Sequence, residues 1–154
     1  MAKAKNAKSD KEGKKKSRVK IKNYEDMLVY CVDFVRRFIK KKIDDALMPT
    51  FLVSDGKTLS IFSLLGGPSD WPGLISSMGN AIPNAKVVGL FIPGLRLAEN
   101  PRRKIVWLAA RDKEKTVTLL QPYETEPRLK IDKVEKVFPK QSRLTDALEP
   151  VKLS

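Results

Sequence analysis

The stretch AKVVGLFI, residues 85–92, places large and β-branched apolar side chains at adjacent positions and is closed by Pro93-Gly94. It reads as a strand near the centre of a sheet. The wider apolar run, Val87 to Leu97, contains Pro93, two glycines and Arg96. It is far short of the roughly 20 apolar residues a membrane helix requires.

Working toward the C-terminus, a loop over 95–102 containing Asn100-Pro101 leads to a second strand, Lys104–Arg111. The charged turn Asp112–Lys115 and a third strand, Thr116–Gln121, complete a meander that stops before Pro122. Beyond Tyr123 the signals conflict. Leu129 and Ile131 alternate as in a strand, whereas Ile131, Val134, Val137 and Phe138 recur at helical spacing. A short extended piece followed by a helical turn is expected there, and Ser142–Leu148 suits one further helical turn capped by Ser142.

Working toward the N-terminus, Leu74, Ile75, Met78 and Ile82 give one face of a short helix that ends near Pro83. The loop before it, Leu65–Gly73, is rich in glycine and proline. It lacks the Gly-Lys-Ser/Thr of a phosphate loop and the glycine spacing of a dinucleotide site. Asp70 or Ser69 is expected to cap the helix, with Trp71 folded over the core. Thr50–Ser54, the turn pair Asp55-Gly56 and the arm Lys57–Leu64 read as a hairpin. Asn23, with Asp26 three residues on, marks the start of a helix whose apolar stripe runs from Tyr24 to Leu47 and stops before Pro49.

These elements predict an α+β domain over residues 23–154, in the order α-β-β-α-β-β-β. A roughly five-stranded antiparallel or mixed sheet with its two main helices against one face is expected. Leu28, Phe34, Phe38, Phe51, Ile61, Ile75, Val88, Leu90, Val106 and Leu119 are the expected core.

Residues 1–22 differ in kind. They hold nine lysines and Arg18 against Asp10 and Glu12, and no apolar side chain larger than alanine falls between Met1 and Val19. Ordering such a segment would cost about 1 to 2 kcal/mol per residue with almost no burial to offset it. A disordered basic tail is expected. It carries most of the formal charge of +13, since the other 132 residues share 21 of the 31 basic and 16 of the 18 acidic residues.

Clustered cations displace counterions from a phosphate backbone, which points to nucleic acid, DNA or RNA, as a partner. The candidate contacts are Lys3, Lys5, Lys8, Lys11, Lys14, Lys15, Lys16, Arg18, Lys20 and Lys22, joined by Arg36, Arg37, Lys40 and Lys41 on the first helix. The helix cluster, which also includes Lys42, is read first as favouring the negative end of the helix dipole and second as a binding patch. With no aromatic residue in the leader and one arginine, base reading is not expected. The competing reading is a structural or adaptor protein that docks another protein through its folded domain.

Histidine is absent and Cys31 is the single cysteine, set among Tyr30, Val32 and Phe34. No Ser-His or Cys-His pair, zinc set or internal disulfide can form within the chain. Asp44, Asp45, Asp55, Asp70, Asp112, Glu124 and Glu126 show no metal-ligand spacing. A non-enzymatic protein without metal or cofactor is expected. The lysines at the N-terminus precede no apolar segment, so a cytoplasmic, membrane-free location is expected, and the oligomeric state is left open.

Overall fold

A computed structural model describes residues 20–96, 100, 102–137 and 144–154. Helix α1 (Tyr24–Lys40) leads through a 3-10 turn, Asp44–Ala46, into strands β1 (Thr50–Ser54) and β2 (Leu59–Ser63). Helix α2 (Trp71–Ala81) precedes β3 (Val87–Arg96), β4 (Lys104–Arg111) and β5 (Thr116–Glu124). Two short strands, β6 (Lys130–Ile131) and β7 (Glu135–Val137), and helix α3 (Leu144–Leu148) complete it. The first seven elements keep the predicted order. Phe138, the cap residue Ser142 and the leader up to residue 19 lie outside the described residues.

The strands form a seven-stranded sheet in the order β2-β1-β3-β4-β5-β6, with β7 also paired to β5. Every pairing is antiparallel, so the mixed alternative is set aside. The expected count of five is corrected by β6 and β7. At two and three residues, both are too short to show alternation, and residues 131 to 137 fit a helical period by chance.

The placement of both helices on one face is also corrected. Helix α1 packs with Leu52, Val87, Phe91, Val106, Leu108 and Val117 on one side. Phe51, Val53, Val88, Leu90, Ile92 and Ala109 face the other, where Ile75 of α2 and Leu148 of α3 close the layer. The reason lies in AKVVGLFI itself: adjacent apolar residues on a strand point to opposite faces, so both faces of β3 need cover. Gly89 lets α1 approach closely, because a Cβ there would meet the Met27 Cγ at 2.6 Å.

Prolines expected to end strands do not do so. Pro93-Gly94 forms a bulge in β3, where the register against β4 shifts between Ile92 and Leu95 and Gly94 takes φ +88°. Pairing of β3 with β1 has already stopped at Phe91, so no ladder bond on that side is lost to Pro93. Pro122 sits inside β5, between the residues that pair with β7 (Thr118–Leu120) and those that pair with β6 (Tyr123–Glu124). Of the expected core, Phe51, Ile75, Val88, Leu90, Val106 and Leu28 are buried, while Phe34, Phe38 and Leu119 are half-buried. Ile61 is a correction: it lies on the outermost strand and is 44% exposed.

The caps of α1 follow from its sequence, with one displacement. Asn23 Oδ1 accepts from the Asp26 N–H at 2.9 Å, whereas the Asp26 carboxylate reaches past Asn23 to the Lys22 N–H at 3.0 Å. At the other end Lys42 takes φ 56°, and the Ile43 N–H bonds to the Phe38 carbonyl at 3.0 Å. This left-handed position is one that glycine fills without strain. Lys42→Gly is therefore expected to raise stability by about 0.5 to 1 kcal/mol, read as a higher urea midpoint at unchanged slope. A lower midpoint would show that the Lys42 side chain contributes more than its backbone costs. Asp70 stands before α2 without capping it. Its carboxylate instead accepts from the Gly67 N–H at 3.3 Å and braces the loop.

Candidate nucleic-acid interface

Antiparallel order brings alternate loops to one end of a sheet. The β1–β2 turn, the β4–β5 turn, the start of β3 and the N-terminus of α1 thus share an end. The chain arrives there from its leader. Lys20 and Lys22 are exposed, and between them Ile21 is 1% exposed, with its carbonyl accepting from Ser54 Oγ at 2.6 Å. The fixed part of the chain thus includes the last residues assigned to the tail. Lys3, Lys5, Lys8, Lys11, Lys14, Lys15, Lys16 and Arg18 lie outside the described residues.

Lys22 shares a surface cleft of about 280 Å³ with Lys86, Lys113, Asp112 and Glu114. Lys86 and Lys113 were not singled out in the sequence. Lys86 directly precedes β3 and Lys113 lies in the β4–β5 turn, and the strand order was the signal that could have joined them to Lys22. The cleft is not strongly cationic, because its two carboxylates offset most of the lysine charge.

Arg36, Arg37 and Lys40 line a separate cleft of about 420 Å³ with Tyr30 and Asp33. At about 1.5 Å per residue, Arg36 and Lys40 lie about 18 and 24 Å along α1 from Tyr24, so the two groups do not form one patch. Their side chains are also not equivalent. Arg36 is half-buried and its Nε donates to Gln121 Oε1 at 2.8 Å. Gln121 in turn donates to the carbonyls of Pro122 and Asp132, both at 2.8 Å, so Arg36 ties α1 to β5. Arg37 lies 5.8 Å from the Phe34 ring centroid, and its Nε donates to the Asp33 carbonyl at 3.4 Å. Lys40 and Lys41 are exposed, but they stand where the helix dipole is negative. Arg36 is structural, which leaves Arg37, Lys40 and Lys41 as the candidates of this face.

Asp112 and Asp55 hold the turns of the leader end. The Asp112 carboxylate accepts from the backbone N–H of Tyr24 at 2.9 Å, Glu114 at 2.8 Å and Lys115 at 2.9 Å. One of the N–H groups that every helix start leaves without an intrahelical partner is thereby supplied from a turn 88 residues away. Burial alone would raise the Asp112 pKa, but these backbone donors outweigh it and hold the carboxyl below its ordinary range. Backbone N–H groups of Thr58 and Lys57 lower Asp55 in the same sense. A carboxylate with a depressed folded pKa contributes stability above its unfolded value, and that contribution is lost as pH falls through the folded pKa. Stability is expected to fall as pH drops below about 4, and Asp112→Asn, which keeps an acceptor oxygen, should flatten that fall. Urea midpoints measured across acid pH test it; an unchanged slope in the variant would remove Asp112 from the account.

A dense polar group lies at the opposite end. Asp44 is 9% exposed, and its Oδ2 accepts from Lys104 Nζ at 3.0 Å and from the Tyr123 hydroxyl at 2.9 Å. Burial pushes the Asp44 pKa up, yet the Lys104 and Tyr123 hydrogen bonds and the Lys104 charge carry it below the usual carboxylate range. An ionised carboxylate so engaged is a weak base and no acid at neutral pH. Its evident work is to fasten the 3-10 turn to β4 and β5. Cys31 is fully buried on the core-facing side of α1, where burial pushes its thiol up to about 12 and leaves it unreactive. Among the described residues no three His, Cys, Asp or Glu side chains gather as metal ligands. No described helix is long and apolar enough to cross a membrane. No protein-family model, curated protein or solved structure matches this chain.

Proposed function

We propose that this chain is a non-enzymatic nucleic-acid binder of low sequence preference, whose leader, residues 3 to 22, makes most of the phosphate contacts. One observation carries the reading: ten basic residues against two acidic ones are concentrated in the first 22 positions, while the folded remainder is close to balanced. Backbone contacts of this kind position a protein without reading bases. The exposed Lys20 and Lys22 add two cations where the leader meets the folded surface, next to a cleft whose Lys86 and Lys113 are largely offset by Asp112 and Glu114.

The test is fluorescence anisotropy with two unrelated duplexes and one single strand. The full chain is compared with a full-length variant in which Lys3, Lys5, Lys8, Lys11, Lys14, Lys15 and Lys16 are replaced by glutamine. Binding should weaken on all probes alike. Unchanged binding would move the contacts to Arg37, Lys40 and Lys41. No binding by the full chain even at low salt would favour the adaptor reading instead.

A further inference from the structure

The two edges of the sheet are treated differently by the sequence. At the β6/β7 edge the strands are two and three residues long and carry Lys130, Glu135 and Lys136, which discourages pairing with another chain. At the other edge β2 pairs with β1 alone and reads Leu-Ser-Ile-Phe-Ser, with no charge, proline or bulge. Among the described residues none of the usual edge protections is present.

The surroundings of β2 share this character. Between Lys57 and Lys86 the sole charged residue is Asp70, in a chain whose residues are 32% charged. Ile61 is 44% exposed on β2 and Leu65 is 68% exposed just beyond it. The Leu64 N–H bonds to the Pro49 carbonyl at 2.8 Å, so the β1–β2 ladder continues toward Met48, itself 45% exposed. Beside the strand, α2 exposes only Pro72, Gly73, Ser77, Asn80 and Ala81.

We infer that the β2 edge is a self-association surface, on which a second copy of this chain pairs antiparallel about a two-fold axis through Ile61. Charge selects the occupant. Each copy carries a net charge of +13, of which residues 23–154 hold 21 basic against 16 acidic residues, and the stretch without lysine or arginine is where two copies can meet without opposing like charges. The edge is also self-complementary. A two-fold at Ile61 sets Ile61 against Ile61, Ser60 against Phe62 and Leu59 against Ser63, so the exposed isoleucine is covered by its own copy. The lysine-rich leader is a poor occupant, since an uncharged strand offers its cations no counter-charge.

The inference does not rest on nucleic-acid binding, and the experiment separates the two. Sedimentation velocity is run on nuclease-treated full chain at micromolar concentrations and high salt. A mass of two chains is expected. Ile61→Lys should raise the dimer dissociation constant about 100-fold, because the apolar Ile61–Ile61 contact at the axis would be replaced by two facing lysines. Its thermal midpoint, extrapolated to the lowest protein concentration, should stay near that of the parent chain. Ser63→Lys provides a second disruption should Ile61→Lys fail to fold. Val29→Lys, at an apolar α1 position that is 62% exposed, should leave the dimer intact. A monomer at every concentration, assemblies larger than two, a dimer that both β2 variants leave intact, or equal disruption by Val29→Lys would each overturn the inference.

Discussion

Phe51→Ala is expected to lower unfolding free energy by about 3 to 5 kcal/mol. Phe51 is 0% exposed on β1, which is paired on both sides, with Phe62 and Leu90 directly opposite it. Its ring lies 6.2 Å from that of Phe62, and a Cβ on Gly79 of α2 would stand 3.3 Å from the Phe51 Cζ. Helix above and hydrogen-bonded strands on each side leave the cavity little room to collapse, which puts the cost at the high end of such changes. Phe38, at helical spacing with the buried α1 residues, is only half-buried, so Phe38→Ala should cost less, about 1 to 2 kcal/mol. Urea unfolding of both variants checks the order. A loss below about 1.5 kcal/mol for Phe51→Ala, or a larger loss for Phe38→Ala, would contradict the two-layer core.

The contrast between those two phenylalanines shows what is legible in this chain. Periodicity located α1, the hairpin, α2 and the three long strands, because each is long enough to display its repeat. It placed Phe38 on the apolar stripe but could not show that the stripe's margin meets solvent. Which sheet face a helix covers depends on contacts between distant residues, and the clue in adjacent Val87 and Val88 concerned both faces at once. The polar ties were least visible. Asp112 looked like an ordinary turn residue, and its bond to Tyr24 appears only when the β4–β5 turn meets the start of α1. Arg36 and Arg37 were indistinguishable as neighbours, yet helical rotation turns one toward Gln121 and the other toward solvent. Asp44 carried no signal apart from Asp45 beside it, and Lys104 and Tyr123 reach it from strands 60 and 79 residues later.

The charge of the leader, by contrast, is legible without any fold, and it sets the second large effect. If six of its cations engage phosphates on a duplex, log affinity should fall against log salt with a slope of about −5, since each phosphate contributes about −0.9. Raising salt from about 50 to about 200 mM should then weaken binding about 1,000-fold. On a single strand, where each contact contributes about −0.7, the slope should be nearer −4. Replacing the seven lysines from Lys3 to Lys16 by glutamine leaves Arg18, Lys20 and Lys22, and the duplex slope should flatten to about −2 to −3. A change in affinity without a change in slope would mean that the lysines act other than by neutralising phosphate. A slope that stays near −5 in the substituted chain would assign the contacts to the folded surface, where Arg37, Lys40 and Lys41 remain available because Arg36 is already committed to Gln121.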